Sequence, residues 1–366
     1  MPASLLGDRS ADTAPDRPAM SAGGVSAIAP IVAALAAELG ELTERFGRRV
    51  DVAALRVADR TGFLTLHAPG PWSPNRACRL FRAADGWMAV NLAREEDHDL
   101  APAWLGSDFG EDPWAAIAAH ARRHSRAALV AGATLLGLPA GAVGEVRRDS
   151  IWAPLIRYGA GVSRDRAGVL KLVDLSALWA GPLCGAVLAA MGAASVKIES
   201  KHRPDPTRTS MPEFFRRLNG GKADLRLDLA SALGQARLRD AILAADILIT
   251  SARPRAFAAL GLDPADVFAG NPGLVWVAVT GYGWTGEASA RVAFGDDAAA
   301  AGGLVHWTPG GAPRFLGDAL ADPVTGLAAA EGALRGLGEG GGVLVDVSLA
   351  GSAAGAATAL RLYRAA

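Results

Sequence analysis

The alternation of short apolar segments with stretches of helical length after Val169 most limits what this chain can fold into. Parallel strands need crossover connections of this kind, and such sheets are buried on both faces. The pattern predicts an α/β fold whose core, residues 165–366, is a Rossmann-like, mainly parallel sheet. The expected strands are 169–173, 195–198, 246–249, 274–279 and 343–347, and the expected helices are 181–191, 229–244 and 325–337.

The region before this core has a different pattern. Residues 25–150 predict a second, smaller α+β domain that starts with a helix over 26–46. A strand is expected over 63–66, and a hairpin over 79–92 turns at Asp85-Gly86, a pair suited to positive φ. Residues 1–24 lack an apolar segment and predict a disordered tail. The remaining helices are expected over 113–124 and 126–136.

Composition excludes several classes of protein. Lys+Arg and Asp+Glu both number 37, so the net charge gives no reason to expect nucleic acid or a charged membrane as partner. Cys78 and Cys184 lie far apart and without metal-ligand spacing, which argues against a disulfide framework and a metal site. No export signal or membrane span is expected, so a cytoplasmic location is predicted.

The motifs of common nucleotide and hydrolase sites are missing. The loop after the first core strand, residues 174–182, has no G-x-G-x-x-G sequence. The sequence also has no Walker loop, no H-E-x-x-H and no G-x-S-x-G. Dinucleotide binding and serine hydrolysis are therefore not predicted.

Basic and small residues follow the predicted strands, where open α/β sheets bind ligands. Gly181 at a helix start would let a phosphate approach free backbone N–H groups. Lys197, Arg208, Lys222 and Arg253 could supply positive charge, although each could equally be an ordinary solvated residue.

Asp322 is the main candidate for chemistry. It stands directly before Pro323, and the pair is typical of a helix start with Asp as N-cap and Pro as first helical residue. The free N–H groups and the helix dipole would also favour an ionised carboxylate, which covalent acyl transfer requires. The capping and the nucleophilic interpretations are compatible.

These junctions form an ordered string of motifs. The string includes Ala-Gly-Pro at 180–182, Asp-Pro-Thr-Arg at 205–208, Asn-Gly-Gly-Lys at 219–222, Gly-Tyr-Gly at 281–283 and Ala-Asp-Pro-Val-Thr-Gly at 321–326. It resembles the class III CoA-transferase family, which includes formyl-CoA and carnitine CoA-transferases, with the α-methylacyl-CoA racemases as relatives. The segment Leu80-Phe81…Asp85-Gly86-Trp87 resembles the small domain of that family. Because it precedes the core here, the small domain looks permuted to the N-terminus.

The resemblance implies an acyl-CoA:carboxylate CoA-transferase that works through an aspartyl-acyl anhydride and an aspartyl-CoA thioester on Asp322. Coenzyme A would be a substrate, with no permanently bound cofactor and no metal. The family forms interlocked dimers, so a homodimer is expected. The CoA contacts that the resemblance implies are Leu178, Trp179, Ala180, Gly181, Lys197, Ser200, Arg208, Ser251, Ala252 and Arg253.

The sequence departs from the family at several of these positions. Ser200 stands where formyl-CoA transferase has an arginine, Ala259 replaces a second arginine, and Ser251 replaces an asparagine. The racemase branch uses a Gly-His-Asp segment, for which this chain has Gly295-Asp296-Asp297, and His306 follows later. Three alternatives stay open: a racemase or isomerase, a catalytically inactive CoA-binding paralogue, and one subunit of a hetero-oligomer.

Overall fold

A computed structural model describes residues 24–106, 112–162 and 168–365. The predicted disordered tail lies outside the described residues, apart from Gly24. The strands are β1 Cys78–Ala83, β2 Gly86–Asn91, β3 Ala140–Ala142, β4 Leu155–Arg157, β5 Lys171–Asp174, β6 Ala194–Ser200, β7 Ala223–Leu227, β8 Ile247–Thr250, β9 Val275–Thr280, β10 Val305–Trp307, β11 Pro313–Phe315 and β12 Val343–Ser348.

Helices occupy both the N-terminal region and the core. They are α1 Ala29–Glu44, α2 Val52–Leu55, α3 Glu95–Leu105, α4 Pro113–Ala121, α5 Arg126–Leu136, α6 Ala180–Met191, α7 Thr207–Ser210, α8 Pro212–Asn219, α9 Ala232–Leu243, α10 Pro254–Ala259, α11 Pro264–Gly270, α12 Gly295–Ala301, α13 Ala321–Gly338 and α14 Leu349–Ala365. Short 3₁₀ helices lie at Val25–Ile28 and Glu287–Ala290.

The large sheet has seven strands in the order β4-β12-β9-β8-β5-β6-β7. All its pairings are parallel except that of β4 with β12 at one edge. Strand β9 shows why both faces are covered: Val275, Val277 and Val279 join one apolar cluster, while Trp276 and Ala278 join the other. The expected parallel α/β core is confirmed.

The N-terminal region contains a three-stranded sheet, β1-β2-β3, packed against α3, α4 and α5. The predicted hairpin is present, but its turn is centred one residue earlier than expected, because Ala83 pairs with Gly86 around Ala84 and Asp85. The predicted strand at 63–66 is absent. That stretch makes only an isolated bridge between Thr61 and Leu64, with no neighbouring strand to complete a ladder.

Helix α1 belongs to the hydrophobic cluster of the core, not to that of the small sheet. Its buried residues Ile31, Leu35 and Leu39 share a cluster with α6 and α13. By length and composition alone, Val25–Glu44 is apolar enough to cross a membrane. The division into units 25–150 and 165–366 stays a prediction, and both α1 and the edge strand β4 pack with the second unit although they precede it in the chain.

Candidate active site

Two helix N-termini meet at the carboxyl edge of the parallel sheet. Helix α6 follows β5, and α13 leads into β12, so both helices begin at the edge where α/β proteins bind ligands. The absence of a side chain at Gly326 lets them approach closely, since a Cβ there would lie 2.7 Å from the carbonyl oxygen of Ala180. Both positive helix ends therefore face the same small volume.

Asp322 lies in this volume, two positions further into the helix than expected. Helix α13 begins at Ala321 with Leu320 as N-cap, so the prediction that Asp322 caps the helix is wrong. The Asp322 carboxylate instead accepts a hydrogen bond from the backbone N–H of Ala180, at the start of the neighbouring helix. It is partly exposed. A Cβ at Gly295 would lie 2.1 Å from Asp322 Oδ2, so glycine leaves space for the carboxylate.

Opposing forces act on the charge of Asp322. Burial raises its pKa to about 7, and the nearby carboxyl groups of Asp296 and Asp318 act in the same direction. The guanidinium of Arg60 and the N–H of Ala180 favour the ionised form and lower the pKa. A carboxyl group with a pKa near neutrality can be an ionised nucleophile or carry a proton.

Four residues that sequence reasoning missed surround Asp322 as a polar network: Arg60, Asn75, Asp296 and Asp318. Arg60 and Asn75 come from the N-terminal region and carry no local motif. A signal did exist for Asp296, because two acidic residues open the Ala-rich helix α12, and both are buried there. Burial raises the pKa of Asp296 to about 7, and neighbouring Asp318 adds to this effect.

The predicted CoA-binding loop is well ordered by its own hydrogen bonds. Leu178 has φ 69°, and its N–H donates to Asp205 Oδ2 at 3.2 Å. Ser251 Oγ accepts the N–H of Ala177 at 2.9 Å. Trp179 and Ala180 are buried. Glycine is required at 181 because Ser176 packs against it: a Cβ there would lie 2.2 Å from the Cβ of Ser176. A phosphate contact at Gly181 stays a prediction.

Two of the predicted basic contacts are compensated inside the protein. Lys197 is only 1% exposed. Its Nζ donates to the Ser176 carbonyl oxygen at 2.6 Å and lies 3.3 Å from Asp205. Lys222 is buried too, with Nζ 2.6 Å from Asp174 Oδ2. The expectation that these ammonium groups meet a phosphate does not fit their burial; both hold the loop after β5 in place.

Arg208 and Ser200 also have internal partners. Arg208 Nε donates to Glu199 at 2.9 Å and its Nη2 donates to Asp224 at 2.6 Å, so its charge is balanced by two carboxylates. Ser200 Oγ accepts the N–H of His202. A phosphate that bound to Arg208, as the sequence predicts, would have to compete with both carboxylates.

Arg253 is different, because it lies among like charges. It lines a cavity of about 160 Å³ with Arg94 and Arg255, between α3, the end of α5 and the start of α10. Partial burial lowers the pKa of Arg253, and Arg255, Arg94 and Arg203 lower it further. A cluster of positive charges that repel one another attracts an anion. The adjacent Ala252 is exposed.

A carboxylate where two helix N-termini meet is suited to covalent acyl chemistry, and a cleft lined by arginines is suited to an anion. A sequence profile described as CoA-transferase family III matches residues 168–364. A succinyl-CoA–D-citramalate CoA-transferase of Chloroflexus aurantiacus is 30% identical over 193 residues, 49% of this chain and 48% of the relative. Human succinyl-CoA:glutarate CoA-transferase is 29% identical over 196 residues, 50% of this chain and 45% of the relative. The chain thus spans about half the length of the curated relatives that it matches.

A solved structure is similar over a comparable part. A hypothetical protein from Mycobacterium tuberculosis gives a TM-score of 0.49 at 27% identity, covering 54% of this chain and 58% of that chain.

Proposed function

Since the chain belongs to CoA-transferase family III, we propose that it transfers CoA from an acyl-CoA to a second carboxylic acid, with Asp322 as the acyl-accepting group. One observation carries this proposal: a partly exposed carboxylate at the meeting point of two helix N-termini, held by the backbone N–H of Ala180. The N–H groups and helix dipoles stabilise negative charge there. The residue as a whole is only partly buried, which supports the approach of a thioester to it.

The proposed reaction has four substitutions at carbonyl carbons. An Asp322 oxygen attacks the thioester carbonyl, the C–S bond breaks, and an aspartyl-acyl anhydride and CoA thiolate form. The thiolate attacks the Asp322 carbonyl, which gives aspartyl-CoA thioester and free donor acid. The acceptor carboxylate attacks the carbonyl carbon of this thioester, the C–S bond breaks, and a new anhydride and CoA thiolate form. The returning thiolate then attacks the acceptor acyl carbonyl, which releases the new acyl-CoA and regenerates Asp322.

Coenzyme A serves as a substrate in this scheme, and we propose that its phosphates bind in the cleft of Arg94, Arg253 and Arg255. Arg253 and Arg255 act on each other as like charges, which supports anion binding. Arg94 is paired with Asp97 and Glu96, and Lys197 is compensated internally. The pantetheine arm would run from this cleft along Ala252 and Leu178 towards Asp322. The first substrate pairs to assay are succinyl-CoA with glutarate and succinyl-CoA with citramalate, because the names of the two relatives contain these acids.

The decisive experiment maps the acyl acceptor. The protein is incubated with radiolabelled succinyl-CoA, trapped with hydroxylamine or borohydride, and digested for mass spectrometry. We expect the modification on Asp322, its loss in Asp322→Asn, and a fall in exchange activity of at least about 1000-fold. Asp266→Asn, at an exposed position of α11, is the matched control and should keep full labelling. Full activity in Asp322→Asn contradicts the proposal.

One observation favours a second candidate, an α-methylacyl-CoA racemase or isomerase. Asp296 acts electrostatically on Asp322, and both carboxyl groups have a pKa raised to about 7, chiefly by burial, so the two could exchange an α-proton. His306 is exposed on β10 opposite Arg314. Uptake of solvent deuterium by a 2-methylacyl-CoA without an acceptor acid would favour this activity. Acceptor-dependent CoA exchange without deuterium uptake would favour the transferase.

We further propose a cytoplasmic homodimer. The family resemblance supports this assembly, and multi-angle light scattering tests it. One relative, 30% identical, is named as the alpha subunit of a succinyl-CoA–L-malate CoA-transferase, so a hetero-oligomer is the other arrangement to examine. A monomeric mass, with activity only after addition of a second chain, would contradict the homodimer. A protein that binds CoA but never acquires the acyl label would instead be an inactive paralogue.

A further inference from the structure

The described residues that act on the charge of Asp322 include more carboxyl groups than cationic groups. Asp296 and Asp318 act on it electrostatically, and the cation that acts on all three carboxyl groups is Arg60. Asp296 and Asp318 are each 2% exposed, so water screens little of the repulsion between them. The charge state of Asp322 therefore depends on the position of the Arg60 guanidinium as well as on the N–H of Ala180.

Arg60 reaches this cluster from the N-terminal region. Its Nε and Nη2 donate to the two carboxylate oxygens of Asp318 at 2.5 and 2.9 Å, the two-pronged geometry that fixes a guanidinium firmly. Its guanidinium carbon lies 5.1 Å from the ring centre of Trp179. The indole N–H of Trp179 donates to the carbonyl oxygen of Val57 at 2.8 Å. The segment 57–60 thus holds the residue that directly precedes Ala180.

The acidic partners are fixed as well. Asn75 Nδ2 donates to Asp318 Oδ1 at 2.8 Å and to Asp296 Oδ2 at 2.7 Å. Asp296 Oδ1 accepts the N–H of Ala319 at 2.7 Å. Asp318 stands four residues before Asp322. Arg60 is therefore connected to Asp322 from two sides, through Asp318 and through Trp179.

We propose that Arg60, a residue of the N-terminal region, is a positioning residue that keeps Asp322 ionised and oriented for attack on the thioester. This inference rests on the proposed role of Asp322. Arg60 touches neither the reacting atoms nor the substrate in this scheme; it acts through the charge and the placement of the nucleophile. The reaction would then depend on a part of the chain that lies before the family-matching residues 168–364.

The charges that act on Asp322 support the same assignment. Burial raises the pKa of Asp322, Arg60 lowers it, and Asp296 and Asp318 raise it. Removing Arg60 must therefore raise the pKa of Asp322. Removing the charge of Asp318 while Arg60 stays must lower it. The two changes break the same ion pair, so they would destabilise the fold in the same direction while shifting the titration of Asp322 in opposite directions.

This opposition defines the test. We would measure kcat/KM for CoA exchange from pH 5 to pH 9. The acidic limb of this pH profile reports ionisation in the free enzyme. In Arg60→Gln the limb should move up by about one pH unit, with roughly tenfold lower activity at pH 6 and a much smaller loss at pH 9. In Asp318→Asn it should move down by about one unit. Arg60→Lys, which keeps the charge, should recover most of the wild-type profile.

Arg56→Gln is the matched control, since Arg56 is an exposed arginine four residues earlier; its profile should equal that of the wild type. Shifts of the same sign in Arg60→Gln and Asp318→Asn, or a loss of activity that is equal at every pH, would overturn the inference. Acyl labelling distinguishes the two proposals. If Arg60→Gln still acquires the acyl label on Asp322 and the acidic limb of its pH profile does not move, only the role of Arg60 is contradicted. If labelling persists in Asp322→Asn, the proposed function is contradicted.

Discussion

Lys197 and Arg253 are both basic residues at the carboxyl edge of the sheet, but their surroundings differ. Lys197 is buried beside Asp205 and Glu199, so its charge is compensated inside the protein. Arg253 has arginines as neighbours and an open cleft before it. A buried ion pair that loses one partner leaves an uncompensated charge, which makes such a lysine a poor ligand-binding group. Residue type therefore predicts ligand binding less well than local charge balance does.

The Arg253 cleft leads to a prediction at the residue scale. Arg253→Gln should raise the KM for succinyl-CoA roughly tenfold and leave kcat within about twofold, because a phosphate contact is the same in the ground and transition states. Succinyl-pantetheine lacks the nucleotide phosphates, so its kcat/KM should not respond to the substitution. Steady-state kinetics with both thioesters measure the effect.

Arg237→Gln, on the exposed surface of α9, is the control for a general change in charge. Equal losses with succinyl-CoA and succinyl-pantetheine would mean that Arg253 supports the fold of the loop and does not bind phosphate.

At the scale of elements, the sequence predicts those parts whose pattern is local. Of the parallel strands in the described residues, all except β7 follow from apolar periodicity and turn residues, as do the helices 126–136 and 181–191. Strand β7 was missed because four of its five residues are exposed. Strand β4 has only three residues and becomes a strand by pairing with β12, almost 190 residues later, so its own sequence holds no signal. The same reason explains the candidate site. Asp322 belongs to a motif, whereas Arg60 and Asn75 acquire their roles through contacts that sequence spacing does not reveal.

Helix α1 gives the prediction at this scale. Leu39 is fully buried among core helices, so Leu39→Ala should lower the free energy of unfolding by about 2–5 kcal/mol. Urea denaturation without detergent measures this change. Leu233→Ala, at a leucine that is 65% exposed, should change stability by less than about 0.5 kcal/mol. Equal stability of Leu39→Ala and the wild type would indicate that α1 does not pack on the core, as expected of a membrane-inserted helix.

At the scale of the whole molecule, the buried acids make stability depend on pH. Burial raises the pKa of Asp296 and Asp322 to about 7, that of Asp297 to about 8 and that of Glu331 to about 7. These groups titrate near pH 4 when unfolded, so the folded chain binds more protons between pH 4 and pH 8. The free energy of unfolding should therefore fall as pH rises through this window, by at most about 1.4 kcal/mol per pH unit for each group.

Urea denaturation at pH 5, 6.5 and 8 checks the sign of this dependence. Asp297→Asn removes one of the four titrating groups and should flatten the curve, while Asp266→Asn at an exposed position should not. A stability that rises from pH 5 to pH 8 would contradict the prediction.

The ion pair between Arg60 and Asp318 joins residues that are 258 positions apart. A ribosome that adds roughly 5–20 residues per second needs about 10–50 s to make the intervening chain. During that time Arg60 lacks its carboxylates, and α1 lacks α13 to cover its apolar face. We therefore expect the nascent chain to rely on chaperones until α13 has emerged, and the nucleophile to reach its working environment only after that helix has been synthesised.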